Sequence, residues 1–316
     1  MLNRRHLRIK VLQALYAFFR SNNTDTKKCE NELLLSFDKV HDLYIYFLLL
    51  LTEIFDFARQ YIEQRKQKHL ASEEDLAPNT KFIDNRFIKQ LATNRELAKF
   101  VAEKKLNWSD ERDLVKKIFL KIKNSDEYTS YIESTDDSYI SDKDFIINIF
   151  KKHISDFPLL RQYLEEKNIY WVTDIKPVNK MIIKMIKSFT QHIYKILSPL
   201  FSQFQDSEEG RKFILTLFRK TILNEKKYEE LIGGKARNWE AERIAVVDIL
   251  LMKMAICEIL EFPTIPVKVT LNEYIEISKH YSTPKSNIFI NGILDKLIAD
   301  FRKEKKIKKT GRGLLD

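Results

Sequence analysis

Glycine and proline are scarce in this chain, with six and seven among 316 residues. So few turn-formers disfavour an architecture of many short strands and point to helices. The glycines stand at 210, 233, 234, 292, 311 and 313. No GxGxxG fingerprint or P-loop can form from them, which excludes the nucleotide enzymes built on those loops. Cysteine is limited to Cys29 and Cys257, without CxxC spacing, so neither a disulfide framework nor a zinc site is expected. His6, His41, His69, His153, His192 and His280 are scattered and form no helical metal-ligand pair. The acidic stretch Asp136 to Asp144 lacks the central glycine and the spacing of a calcium loop. The longest apolar run, Leu43 to Leu51, falls far short of the ~20 residues that cross a bilayer. The N-terminal apolar stretch contains Gln13 and Arg20 and no small-residue cleavage pattern, so it does not read as a secretory signal. The expectation is a cytoplasmic protein with no membrane span, metal, cofactor or catalytic centre.

Positive charge, by contrast, is abundant. The formal net charge is +10 and the pI near 9.2, so the summed field favours an anionic partner such as nucleic acid. Hydrophobic residues make up 44% of the sequence, enough at this length for one large core or two smaller ones.

Periodicity is helical along the chain. Leu7, Val11, Leu15 and Phe18 recur at spacings of four, four and three, giving an apolar stripe on a first helix over residues 3–20, with Arg4 and Arg8 on another face. A second helix is expected over 27–37 and a third over 38–68, followed by shorter ones near 82–105, 110–123, 145–154 and 159–167. Over 177–197, at ~100° per residue, Lys180, Lys184, Lys187, Gln191 and Lys195 fall within about one sixth of a turn and form a basic ridge opposite Ile182, Met185 and Phe189. A helix over 208–232 is expected to stop at Gly233-Gly234. Asn238 can cap the next, over 239–260, which is apolar nearly all round. Helices over 267–280 and 284–303 follow, the last with Thr283-Pro284 as cap and first position. The tail to Arg312 is rich in lysine. The fold class is all-α, divided as an N-terminal region 1–205, a C-terminal bundle 206–306 and a basic tail 307–316.

Two strings in the C-terminal part carry a resemblance. Pro266-Val-Lys-Val-Thr-Leu-Asn-Glu-Tyr-Ile-Glu-Ile-Ser-Lys and Phe289-Ile-Asn-Gly-Ile-Leu-Asp-Lys resemble the NusB signature P-x-K-V-x-I-N-E-x-I-E-L-A-K … F-V-N-G-V-L-D-K. Glu242-Arg-Ile-Ala-Val-Val-Asp and Met254-Ala-Ile-Cys-Glu-Ile-Leu are similar to the family's central helix, and Arg4-Arg-His-Leu-Arg with Leu12-Gln-Ala-Leu-Tyr16 to its arginine-rich first helix. The resemblance covers residues 3–20 and 208–302; most of 38–204 reads as a helical expansion of the N-terminal half.

The resemblance implies a NusB-like helical bundle in two subdomains and transcription antitermination. The implied partners are boxA-type single-stranded RNA of ribosomal RNA transcripts, a small-subunit ribosomal protein acting as antitermination factor, and the RNA polymerase antitermination complex; a homodimer is a further option. Arg4, Arg5 and Arg8 offer charged planar forks for phosphate or base edges, and Gln13 can read a base edge. Lys279, Tyr281, Lys285, Ser286 and Asn287 surround a helix start whose backbone N–H groups suit an anion, with Tyr281 or Phe289 stacking on a base. Glu258 and Glu273 are weaker candidates for the protein partner, Asn272 reads as a buried strut and Gly292 as a close helix contact. Two other classes stay open: an RNA-binding helical domain related to ribosomal RNA methyltransferases, against which the lack of a glycine-rich cofactor loop counts, and a protein–protein adaptor that binds no RNA.

Overall fold

The computed structural model describes residues 4–21, 25–191, 207–235 and 245–315. Among the described residues the secondary structure is helical throughout, with no strand. Helices α1 (Arg4–Arg20), α2 (Thr26–Lys66), α3 (Glu73–Leu76), α4 (Arg86–Ala92), α5 (Arg95–Lys104), α6 (Arg112–Lys123), α7 (Asp126–Glu133), α8 (Tyr139–Ile149), α9 (Pro158–Lys167) and α10 (Ile175–Ser188) come first. Helices α11 (Ser207–Leu223), α12 (Glu225–Lys235), α13 (Val246–Glu261), α14 (Val267–Tyr281) and α15 (Ser286–Lys303) complete the set.

Several boundaries differ from expectation for local reasons. No glycine or proline interrupts residues 26–66, so the two helices expected over 27–37 and 38–68 are one, α2. The expected helix over 82–105 is two, because the Asn94 side chain accepts from the Leu97 N–H at 3.0 Å and caps α5. The helix expected over 208–232 breaks at Asn224, whose side chain donates to the Lys220 carbonyl at 2.9 Å; Gly233-Gly234 do not end it but lie within α12. The last helix begins at Ser286 rather than Pro284. Helix α7, capped by Ser125, is an element that weak periodicity conceals. The cap Asn238, the start of the helix expected from residue 239, and Lys195 of the ridge lie outside the described residues.

The structure divides into two compact units: residues 38–205, and residues 2–37 with 206–316. Against the expected single N-terminal region 1–205, α1 and the start of α2 therefore pack with the C-terminal helices. In that discontinuous unit Leu7, Val11, Leu12 and Leu15 of α1 and Leu33 and Phe37 of α2 enter one core with α11 to α15. Helix α13 is buried on every side from Leu250 to Ile259, as an all-round apolar helix requires. The basic tail is docked on the same unit. Thr310 N–H donates to the Pro263 carbonyl at 3.0 Å, and Lys309 Nζ to the Phe262 carbonyl at 3.0 Å.

The inserted unit is organised by the second part of α2. The apolar run from Leu43 to Leu51 forms its core, with Leu43, Tyr44, Ile45, Leu48, Leu50 and Leu51 at 0% exposure. Two indole N–H groups fasten neighbours to this helix: Trp108 donates to the Tyr46 carbonyl at 3.1 Å and Trp171 to the Lys39 carbonyl at 2.9 Å. The Tyr46 and Trp108 rings stack at 4.1 Å. His41 meets the edge of Phe100 at 4.3 Å, and burial pulls its imidazole down to about 4 from an ordinary 6.5.

Two glycines should respond oppositely to a methyl group. A Cβ at Gly292 meets nothing within 4 Å, which overturns the close-contact reading; Gly292→Ala should raise stability by about 1 kcal/mol through helix propensity, read from urea midpoints. A Cβ at Gly313 would lie 1.9 Å from the Pro263 carbonyl oxygen. Gly313→Ala should therefore release the tail and expose the lysines before it to trypsin. The His41 proton gives a third expectation. The unfolded chain takes it up near 6.5 and the folded one only near 4, so stability is full above 6.5 and lost as pH falls toward 4. The pH profile of the melting temperature should be flatter over that window in His41→Leu.

Candidate nucleic-acid interface

Helical geometry decides the fate of the three arginines of α1. At ~100° per residue Arg8 lies about 20° from Leu15, so it falls on the apolar arc rather than on a separate basic face. Its side chain is 1% exposed and the Glu258 side chain 0%. The guanidinium donates through Nε to Glu258 Oε2 at 2.8 Å and through NH2 to Oε1 at 2.5 Å. Glu258 also accepts from the Thr270 hydroxyl at 2.8 Å and the Tyr274 hydroxyl at 3.1 Å. These donors fill the roughly four acceptor positions of a carboxylate. The Arg8 guanidinium further lies 5.6 Å from the Phe213 ring centre and 5.8 Å from that of Tyr274.

Burial works against the charged form of Arg8, but the hydrogen bonds and charge of Glu258 outweigh it and hold the guanidinium above its ordinary value. Burial also raises the Tyr274 phenol well above its ordinary range, with the Glu258 charge acting in the same direction. Arg8 is thus withdrawn from solvent, and the expectation that it contacts RNA is corrected. Glu258 is corrected likewise: a carboxylate with no exposed surface offers nothing to a protein partner.

Arg4 and Arg5 remain half-exposed. Arg4 pairs with Glu209 on α11, and its guanidinium lies 5.6 Å from the Phe213 ring centre. Arg5 makes a fork with Glu273 on α14, Nε to Oε2 and NH2 to Oε1 both at 2.9 Å. The Glu273 hydrogen bond leads the effects that raise the Arg5 guanidinium. Glu273 also stands 3.6 Å from Arg8 NH1, so it bridges both arginines, and its side chain is only 19% exposed. One turn along α14, Lys279 donates to Glu276 at 2.5 Å. That bond first, with the Arg5 charge adding to it, keeps the Glu276 carboxylate below its ordinary range. Arg5, Glu273, Glu276 and Lys279 therefore form one row across α1 and α14, two carboxylates between two cations.

The start of α15 is built differently from expectation. Ser286 is 2% exposed and donates to Asp248 Oδ2 at 2.6 Å, while Ser282 donates to Asp248 Oδ1 at 2.5 Å. Thr283 and Ser286 hydroxyls lie 2.7 Å apart. The protein's own carboxylate thus stands beside this helix start, where a phosphate would meet like charge, and Ser286 joins α13 to the turn between α14 and α15. Lys285 is exposed and Asn287 half-buried. Tyr281 and Phe289 both pack against the core. Gln13 is half-buried on α1, and Asn272 is exposed rather than a buried strut. The structure brings Arg5 and Lys279 into one row; it takes Arg8, Ser286 and Glu258 out of reach.

Sequence reasoning missed the buried charges of α13. Asp248, Lys253 and Glu258 recur every five residues in an otherwise apolar helix and each is at most 5% exposed. Lys253 reaches α12 through Glu225 at 3.2 Å and Glu229 at 2.8 Å. Three charges in so apolar a segment are themselves the signal, since a buried charge demands a partner.

The NusB family matches residues 175–299, beginning inside the stretch that reads as expansion. The chain is 44% identical over 105 residues to the transcription antitermination protein NusB of Salinibacter ruber, covering 33% of this chain and 66% of that protein. It is 41% identical over 108 residues to the protein of that name from Chloroherpeton thalassium, covering 34% and 51%. Against that of Dictyoglomus turgidum it is 35% identical over 108 residues, covering 34% and 74%. The chain thus spans just under two thirds of the first of these relatives and about half of the second. No solved structure matches the chain.

The buried pair makes a sharp expectation. Arg8→Met strands the Glu258 charge and should cost about 3–5 kcal/mol, whereas Arg8→Met with Glu258→Leu should recover most of that loss. Urea denaturation of the single and double variants measures both.

Proposed function

Since the chain belongs to the NusB family, we propose that it is a transcription antitermination factor that binds boxA-type single-stranded RNA of ribosomal RNA transcripts. It does so together with a small-subunit ribosomal protein, within the RNA polymerase antitermination complex. The observation that carries this reading is the row formed by Arg5 and Lys279 with Glu273 and Glu276. Arg4, Lys285, Asn287, Tyr281 and Gln13 are further contacts in this reading, Lys285 exposed and the others half-buried.

The cations of this row are already paired, and the kind of pairing decides what RNA can do with them. Exposed ion pairs contribute about 0–1 kcal/mol, so a phosphate can replace Glu209 at Arg4 or Glu276 at Lys279 at little cost. The fork between Arg5 and Glu273 is tighter. It presents the guanidinium edge in a fixed orientation, and binding there needs RNA to share rather than displace the carboxylate. Glu273 remains the one acidic candidate with some exposed surface for the protein partner. No catalytic step is part of this reading.

Fluorescence anisotropy with a labelled boxA-like RNA tests it. The RNA should bind more tightly than a scrambled sequence, and more tightly again with the ribosomal protein present. Arg5→Ala or Lys285→Ala should weaken binding by roughly tenfold or less, and the slope of log affinity against log salt should fall by about 1 for each phosphate left without its cation. Equal affinity for both RNAs with no effect of the partner would overturn the reading. Mass in solution with and without RNA shows whether a homodimer competes for the same surface.

A further inference from the structure

The inserted unit contains a half-open cavity of about 400 Å³ between the end of α2, α6 and α7, within the size range of about 300–1,000 Å³ typical of small-molecule sites. Its floor is apolar and aromatic. Ala58, Phe82 and Phe119 are at most 2% exposed, and the Phe82 ring centre lies 6.0 Å from Phe119 and 5.3 Å from Tyr128. Tyr61 continues this surface, 5.3 Å from Phe119.

At the mouth, two cations converge on one oxygen. Arg65 NH1 and Lys123 Nζ each donate to the Tyr61 hydroxyl at 3.3 Å. They also approach its ring, at 5.7 Å and 4.8 Å from the centre. Arg65 is balanced by Asp75, but Lys123 has no carboxylate within ion-pair reach among the described residues. Both cations keep N–H groups beyond those spent on Tyr61 and Asp75. The cavity therefore combines flat π surfaces, which stack on any base, with charge-assisted donors at one end, which suit a phosphate. Neither part alone would select a ligand; together they match an aromatic ring that carries an anionic group a few bonds away.

We propose that this cavity binds a nucleotide, with the base against the half-buried Tyr61 and Tyr128 rings above the buried Phe82 and Phe119 floor, and the phosphate at Lys123 and Arg65. The shared chemistry is a base joined to a phosphate, supplied either by a free mononucleotide or by one nucleotide of an RNA chain. The site belongs to the other of the two units from the arginine row and does not depend on the antitermination reading.

Calorimetric titration of the full chain at low salt with AMP, CMP, GMP and UMP tests the proposal, with adenosine, inorganic phosphate and a single-stranded ribo-oligonucleotide as further arms. A mononucleotide should bind at least about tenfold more tightly than adenosine or phosphate alone, as expected when stacking and a charge-assisted bond act together. Lys123→Ala should weaken it by about tenfold or more. Ala77→Trp, at an exposed lining position, should block the mouth. Saturation by a mononucleotide identifies the free-nucleotide source. Binding of the oligonucleotide alone, weakened by Lys123→Ala and by Ala77→Trp, identifies the RNA source. Photolabelling of the unaltered chain with 8-azido-AMP is independent of how the variants fold, and should mark the peptides that hold Tyr61 or Tyr128. Absence of binding in every arm, binding indifferent to both cavity variants, or label confined to other peptides would overturn the proposal.

Discussion

Everything in the discontinuous unit turns on one buried charge pair. Arg8 comes from the first helix and Glu258 from the centre of α13, with Thr270 and Tyr274 of α14 completing the carboxylate's hydrogen bonds. An ion pair this dry gains little net energy over an apolar pair of similar shape, because desolvation offsets the attraction. Its effect is on geometry. The fork admits one orientation of the guanidinium, so α1 can dock on α13 and α14 at one register, and that register decides where Arg4 and Arg5 emerge.

The charged groups therefore fall into two classes with different duties. Arg8, Glu258, Asp248 and Lys253 are buried and fully engaged, and they fix helices to one another. Arg4, Arg5, Lys279 and Lys285 retain exposed surface, where pairing is weak and exchangeable. A recognition surface of the second kind can trade a carboxylate for a phosphate without disturbing the first kind. The Arg5–Glu273 fork sits at the junction, since Glu273 also faces Arg8; through it a ligand on the surface touches the group that sets the register beneath.

The helical class was legible because it rests on period and composition, which act locally. The central helix α13 and the stripe of α1 followed for the same reason. What eluded sequence reasoning was where polar groups point. Arg8 looked like part of a basic patch because three arginines cluster in sequence, yet helical phase puts it beside Leu15. Ser286 looked like an anion site until Asp248, 38 positions earlier, proved to be its partner. Asn224 ends one helix and Asn94 starts another by side-chain bonds, and neither differs in sequence from a solvated asparagine elsewhere. Such pairings depend on tertiary contacts, and a single sequence holds only their residues.

The order in which the discontinuous unit is assembled has a cost of its own in time. A ribosome adding about 5–20 residues per second produces α1 first and α13 more than two hundred residues later, an interval on the order of ten to forty seconds. Through that interval the apolar stripe of Leu7, Val11 and Leu15 has none of its α13 neighbours, while residues 38–205 can close on contacts of their own. The nascent first helix is thus an early-made part awaiting a late-made socket, and it is where a chaperone that shields emerging chains would have the longest opportunity to act.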